Sequence, residues 1–530
     1  MKIGLDLGMT NSTISYFDEE GKLANFKFSA GEEAYIPTVV SYDKRKPDSA
    51  FIGRAAKDHI TDEARYETYD KFKLKLGTGF NTTISGKTKT PSEVARCFIE
   101  NFLRVFREKQ RTAVEGIVMT VPATWAKEVS NHTTRENIEE IFENLGYGSE
   151  LQLESEPVAA AVYFCHAHKN KHGSRYNGFI TVIDFGGGTL DVTLCEATTD
   201  ETIRVLDCYG AGEDSKTNGR AGVAFDEAVA EKLIKDNGLD IQKGSVEFIE
   251  LRDMFEQRKI SQMEIIKEQI TSYIKDPGIL EGEELFTLRY SGRPITVYCK
   301  DLMECFNAIN APVLRDSLNG ARQYFNTHGI DSSSQDNFRV LLVGGFSNFY
   351  AVEAEVRKFF GGGMYADKRF DQPFEDMNKS FAISRGAALI AQNNIVEHTC
   401  PYSIGYVIYD HDFQNDRFVP RDTIVIQKST DLKDVKAPVY AKERLIVEHG
   451  LGHFPIFFDD GRPDGKGRRQ LVLEAGLREL FPNMNKHNKY TVGFSLNRNA
   501  VPTLHIVDKD GHEIKTSLLK LYEKLSIRAE

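Results

Sequence analysis

The chain has 530 residues, of which 41% are hydrophobic and 27% charged, and a formal net charge of −11. That length suits three or four domain-sized units of roughly 150 residues each, and no stretch approaches the run of about 20 apolar residues that a membrane span needs. The 78 acidic residues outnumber the 67 basic ones without a basic block, which argues against nucleic acid as a partner, and seven scattered cysteines with no CxxC argue against a disulfide framework.

In chain order, Met1 leads at once into Ile3-Gly-Leu-Asp-Leu-Gly-Met-Thr-Asn-Ser12, an apolar run that ends in Asp6 and Gly8 and reads as a strand entering a hairpin turn. That start leaves no room for a signal peptide, so the cytoplasm is the expected compartment. Thr90-Pro-Ser-Glu93 is a capping box with Pro at the first helical position, opening a helix whose apolar face is Val94, Phe98, Phe102, Val105 and Phe106. A strand over 116–121 and a helix over 135–144 follow. Glu156 then stands just before a Pro that starts a helix of small residues, Val158-Ala-Ala-Ala-Val162.

The strand over 179–184 runs into Val182-Ile-Asp-Phe-Gly-Gly-Gly-Thr-Leu-Asp191, which repeats the opening motif in altered form. Helices are expected over 225–234, 302–325, 352–360 and 381–392, with a strand over 339–343 that enters Gly344-Gly-Phe-Ser347. Up to about residue 395 the pattern is α/β. From Tyr402 it turns to short β-rich runs at 404–409, 423–426, 445–448, 490–496 and 502–507, so a separate β domain is expected there. Within it, 459–469 is polar and Gly/Pro-rich and reads as a loop, and 516–527 as one short amphipathic helix.

The repeated turn carries the chemistry. Asp6 and Asp184 each end an apolar strand, and facing carboxylates suit a magnesium ion held through waters. Gly8, Gly186, Gly187 and Gly188 let backbone approach phosphate oxygens, while Thr10 and Thr189 add hydroxyls. A single such turn is as readily a plain strand end; a pair in one chain points to a two-lobed clamp on ATP. Glu156 at a helix N-terminus suits ordering water or a magnesium shell, or simply pairing with the helix dipole, and spacing does not separate these. The Gly344-Gly345 turn suits nucleoside or phosphate contact. His166, His168 and His172 do not share one helical face and carry no metal site. Trp125 is explained by core packing.

These motifs resemble the heat shock protein 70 (DnaK-type) family of the actin and sugar-kinase superfamily. The resemblance rests on Gly4-Leu-Asp-Leu-Gly8; Ile36-Pro-Thr-Val-Val40 with Ile52-Gly-Arg-Ala-Ala-Lys57; Thr120-Val-Pro-Ala123 with Ser155-Glu-Pro-Val-Ala-Ala-Ala161; Asp184-Phe-Gly-Gly-Gly-Thr-Leu-Asp191; and Val343-Gly-Gly-Phe-Ser347 with Arg385-Gly-Ala-Ala388. It implies an α/β fold: a two-lobed actin-like ATPase of duplicated ribonuclease-H-like cores over 1–395, the second lobe from about 179, and a shortened β-sandwich-like substrate-binding domain without a helical lid over 396–530. It further implies ATP or ADP with magnesium in the cleft. Asp6 and Asp184 would hold the ion through waters, Glu156 would position its shell or the attacking water, and Lys73 would touch the γ-phosphate beside Thr189. Met9, Thr10, Asn11, Gly344, Gly345, Phe346 and Ser347 would line the nucleotide, and Glu256 and Lys259 would clasp the adenosine.

The chain departs from the family pattern at Met9, where a threonine is usual, at Phe346 and Asn348 in place of serine and arginine, and at Ser380 in place of aspartate. The leading expectation is an ATP-hydrolysing, chaperone-like protein whose nucleotide state alters its grip on unfolded or extended polypeptide, with J-domain and nucleotide-exchange co-chaperones as partners and a role in the stress response. The alternatives are a nucleotide-gated binding scaffold with little hydrolysis, or a phosphotransferase or filament-forming ATPase using the same clamp.

Overall fold

A computed structural model describes the chain apart from residues 29–33, 71, 77–81, 85–86, 124–128, 199–202, 212–220, 277, 279–281, 362–366, 373–380, 394–398, 401, 447–452, 460, 462–467, 475–488, 518–526 and 530. Trp125 and Ser380 lie outside the described residues. The chain divides into two units: one of Met1–Lys75, Phe80–Pro122 and Glu154–Ile395, the other of Leu76–Gly79, Ala123–Leu153 and Val396–Glu530.

The first unit contains the same sheet motif twice. In one copy Lys2–Leu7 pairs antiparallel with Asn11–Phe17 and parallel with Gly116–Val121, with Asp6 opposite Thr13 on one side and Thr120 on the other. In the other copy Gly178–Phe185 pairs antiparallel with Leu190–Ala197 and parallel with Phe338–Val343, with Asp184 opposite Asp191 and Val343. Each motif aspartate therefore sits at the end of a central strand, next to a tight hairpin, as the repeat predicts. The strands are buried on both faces, which is why they read as continuous apolar runs and not as alternation.

Close backbone approach fixes how the helices cover the first sheet. A Cβ on Gly4 would collide with the backbone of Ser384 and Ala388, and one on Gly386 with the carbonyl of Ala159. The helix Ala382–Asn393 thus lies directly on the Lys2–Leu7 strand and on the helix Glu156–His172, whose Ala159, Ala160 and Ala161 are fully buried. This explains Arg385-Gly-Ala-Ala388 as packing: Arg385 reaches Asn25 and the Tyr163 hydroxyl at 3.0 and 2.9 Å, and Ser384 meets Ser15 at 2.8 Å.

The capped helix forms over Pro91–Gln110 with both capping-box hydrogen bonds present, and it buries Val94, Phe98, Phe102 and Phe106. Val105 is only half-buried, and Ile99 and Leu103 complete the face in its place. The expected single helix over 302–325 is two, Cys299–Ile309 and Ala311–His328. The break falls at Asn310 because Pro312, in the first turn of the second helix, cannot donate to the preceding one. The remaining elements of the second half, Gly222–Asp236, Val246–Ser261, Met263–Lys275 and Tyr350–Phe359, bury Phe225, Phe255, Leu302, Phe306 and Val352 in one core with Ile183, Phe185 and Val340.

The second unit joins the β-rich C-terminal segment to residues 123–153. One sheet runs Arg417–Ile426, Ser403–Asp412, His453–Asp459, Arg468–Glu474, Ile527–Ala529; the other runs Val439–Ile446, Lys489–Leu496, Pro502–Val507, Glu513–Ser517. They share a core of Tyr402, Ile404, Tyr406, Ile456, Phe458, Val492, Phe494, Leu504 and Ile506, the two-sheet burial of a β-sandwich. The turn over 497–501 is bonded to the helix Val129–Asn144 of the same unit: Asn497 donates to Glu139 at 2.8 Å, Asn499 also donates to Glu139, and Arg135 donates to the Asn499 carbonyl at 2.7 Å. The Asn499 side-chain oxygen accepts from Leu153 N–H at 2.7 Å. Of the helix expected over 516–527, the middle lies outside the described residues and both ends are strand. The loop expected over 459–469 is shorter, since Asp459 and Arg468 close a strand pair; its centre lies outside the described residues.

Candidate functional site

The two hairpin turns meet. A Cβ on Gly187 would collide with the Thr10 hydroxyl, and one on Gly188 would lie 2.7 Å from Met9 Cγ and 2.9 Å from its Cε. The glycines let the turns come into contact, and Met9 lays its thioether chain over Gly188. Further close approaches sharpen both turns. Gly8 has the Asn11 carbonyl where a side chain would stand, and Gly344, at φ +83°, carries the second strand-to-helix turn past the Asp184 carboxylate. Gly222 and Val223 N–H donate to the carbonyls of Gly186 and Gly187 at 3.1 and 2.8 Å, so the start of the Gly222–Asp236 helix braces the second turn. Gly186 N–H closes the turn onto the Thr189 carbonyl at 3.0 Å.

Behind the turns lies a cluster of acids with one base. Lys73, at 3% side-chain exposure, donates to Glu156, at 8%, over 2.9 Å. Of the three neighbouring lysines in the sequence, Lys75 is exposed and Lys71 lies outside the described residues. Glu156 is the first residue of its helix, N-capped by Ser155. The Thr120 hydroxyl donates to Asp6 at 3.2 Å. Burial pushes the Asp6 carboxyl up to about 7, with the Glu156 charge adding to the rise and Lys73 and the Thr120 hydrogen bond opposing it. Burial likewise raises Asp184 well above the carboxylate range, helped by Glu156, Asp191 and Asp6.

Half-buried Asp6 and buried Glu156 and Asp184 therefore share one lysine, with buried Asp191 beside Asp184. Hard oxygen donors carrying excess negative charge are the donor set that magnesium takes. Among the described residues the only trio of ligand-type side chains with atoms within 4.8 Å of one another is Asp508, Asp510 and His512, on a surface turn. The site acids do not form such a trio.

Met9 and Thr10 also line a cleft with Lys57, Asp226, Arg252 and Glu256. Glu256 pairs with Lys57 at 3.6 Å. Lys259, one turn on, is turned inward: its ammonium lies 2.5 Å from Asp226 and within 5.5, 5.9 and 5.6 Å of the ring centres of Phe225, Phe255 and Phe346. Phe346 and Ser347 are buried as well, Phe346 stacked on Phe349 and edge-on to Phe185. The structure brings Asp6, Lys73, Glu156, Asp184 and Gly344 together, sets Met9 and Thr10 against Gly187 and Gly188, and puts Glu256 on the cleft. Asn11 and Gly345 are exposed. Thr120, Asp191, Asp226, Lys57 and Arg252 were not singled out from the sequence as site residues, although Thr120, Asp191 and Lys57 lie within the motifs that carry the resemblance.

The profile of the Hsp70 protein family matches residues 72–398. The chain is also 24% identical over 498 residues to the chaperone protein DnaK of Thermotoga neapolitana, spanning 89% of this chain and 76% of that one. With more than half of its length matched by that profile and the paired turns in place, the chain belongs to the Hsp70 family.

Proposed function

We propose that residues 1–395 bind and hydrolyse ATP in two lobes and that residues 396–530 engage extended polypeptide under control of the nucleotide state. The observation that carries this reading is the cluster of Asp6, Glu156 and Asp184 around the buried Lys73, at the base of two turns in mutual contact. Thr10, Thr189 and the glycines of both turns receive the phosphates. Lys73, held by Glu156, supplies positive charge to the transferring phosphoryl group, and Glu156 accepts a proton from the attacking water. Asp6 and Asp184 would hold a magnesium ion, which would supply charge neutralisation to the phosphates.

The β domain supports the polypeptide half of the reading. The hairpin Ser403–Ile426 carries Phe413 and Phe418 at 89% and 68% exposure beside Tyr409, an apolar group too open to serve its own core. J-domain and nucleotide-exchange proteins as partners, a cytoplasmic site of action and a role in stress are part of this reading. The test is release of a fluorescent extended peptide from the full chain on adding ATP with magnesium: faster release supports coupling, and an unchanged rate refutes it.

A second reading, a nucleotide-gated scaffold with little turnover, is favoured by the Met9 side chain lying on Gly188 where the first turn would otherwise present a hydroxyl. Tight ATP binding with no phosphate release over hours selects it.

A further inference from the structure

Resting on the reading of this cleft as a nucleotide site, we infer that Thr13 and Thr120 are positioning residues for the magnesium ion: Thr120 fixes the direction of the Asp6 carboxylate, and the Thr13 hydroxyl anchors a water between that carboxylate and the ion. The three residues form one row across the first sheet. Asp6 stands directly opposite Thr13 in the antiparallel pair and opposite Thr120 in the parallel pair, and side chains directly opposed on neighbouring strands project from the same face. Thr120 is fully buried, and its hydroxyl lies 3.2 Å from Asp6 Oδ1 and 3.5 Å from the Leu5 carbonyl oxygen. A hydroxyl has one proton to give, and the carboxylate, nearer and charged, is the stronger acceptor.

Thr13 completes the row in a different way. It is 4% exposed, and its hydroxyl has no hydrogen-bond partner among the described residues. A buried hydroxyl left unpaired is costly to the fold. One that shares a sheet face with a carboxylate and does not bond it directly is placed to share a water with it. The second sheet has no such row, since Asp184 stands opposite Asp191 and Val343. The two aspartates that end the paired strands are therefore held differently, Asp6 between two hydroxyls and Asp184 beside a second carboxylate.

The test is calorimetric titration of the full chain with ADP, in magnesium and again in EDTA, together with the melting temperature of the ligand-free chain. Valine keeps the shape of threonine and removes the hydroxyl. In Thr13→Val the ligand-free melting temperature is expected to be equal or higher, because the hydroxyl removed bonds to no described residue. The same variant is expected to bind ADP about fivefold more weakly in magnesium and less than about twofold more weakly in EDTA. Thr120→Val is expected to weaken ADP about tenfold in magnesium, and Thr120→Ser, which keeps the hydroxyl, to come within about twofold of the unaltered chain. Unchanged affinity of Thr13→Val in magnesium, a loss of the same size in EDTA, or an unaltered chain whose affinity does not respond to magnesium overturns the inference while leaving the proposed nucleotide site intact; no binding of ADP by the unaltered chain overturns both. Thr13→Val decides the matter even where Thr120→Val does not fold.

Discussion

Lys73 and Glu156, 83 positions apart in sequence, form a buried ion pair at 2.9 Å with neither side chain more than 8% exposed. Removing one partner of such a pair leaves an uncompensated charge in the acid cluster. Lys73→Met is expected to lower stability by about 3 kcal/mol or more, and Lys73→Met/Glu156→Gln by less than the sum of the single changes. Denaturant unfolding of the three variants checks this, and strict additivity would refute the pairing.

Met9 covers Gly188, within 3 Å of where a side chain there would start. Met9→Thr removes the cover and restores a hydroxyl, so single-turnover hydrolysis should rise by about tenfold with little change in stability. A lower rate in the variant would show that Met9 is part of the working site.

Asp226 is pushed up to about 6 by burial, against the pull of Lys259, from an ordinary value of 3.8. The folded chain therefore holds this proton more tightly than the unfolded chain. Its contribution to stability is greatest below pH 4 and is lost as pH rises through about 6. Asp226→Asn should flatten the fall in melting temperature between pH 4 and 6 relative to the unaltered chain; parallel curves would contradict the assignment.

Glu139 accepts from Asn497 and Asn499, which tie the turn over 497–501 to the helix Val129–Asn144. Burial raises its carboxyl, and the two asparagines oppose that rise. Asn499→Ala removes the donor to Glu139 and the acceptor for Leu153 N–H together. Glu139 keeps Asn497, but Leu153 N–H is left unsatisfied, and a loss of about 1–3 kcal/mol is expected, read as a lower denaturant midpoint for the transition of the C-terminal unit; an unchanged midpoint would show that the Asn499 side chain contributes nothing.

Much of the first unit was legible because its determinants are local. A strand that ends in Asp and Gly, repeated about 180 positions later, specifies both sheets and both turns, and Thr90 and Glu93 announce their helix by side-chain to backbone bonds within one turn. The break at Asn310 was missed because apolar periodicity runs across it, although Pro312 was a visible signal. Lys73 was inseparable from Lys71 and Lys75 by pattern; only the long-range partner Glu156 distinguishes it. The inward turn of Lys259 depends, beyond its helix neighbour Phe255, on Phe225 and Asp226 of another helix and on Phe346, a juxtaposition that spacing along the chain does not encode. The part of the C-terminal unit drawn from residues 123–153 was equally invisible, since its bonds to the turn over 497–501 span about 350 positions.

The proposed function requires the acids around Lys73 to carry ATP hydrolysis. Single-turnover hydrolysis of ATP with magnesium by the full chain, compared with Asp184→Asn and Glu156→Ala, tests it most directly. A fall of about a hundredfold or more is expected in each variant; unchanged turnover in both would contradict the assignment.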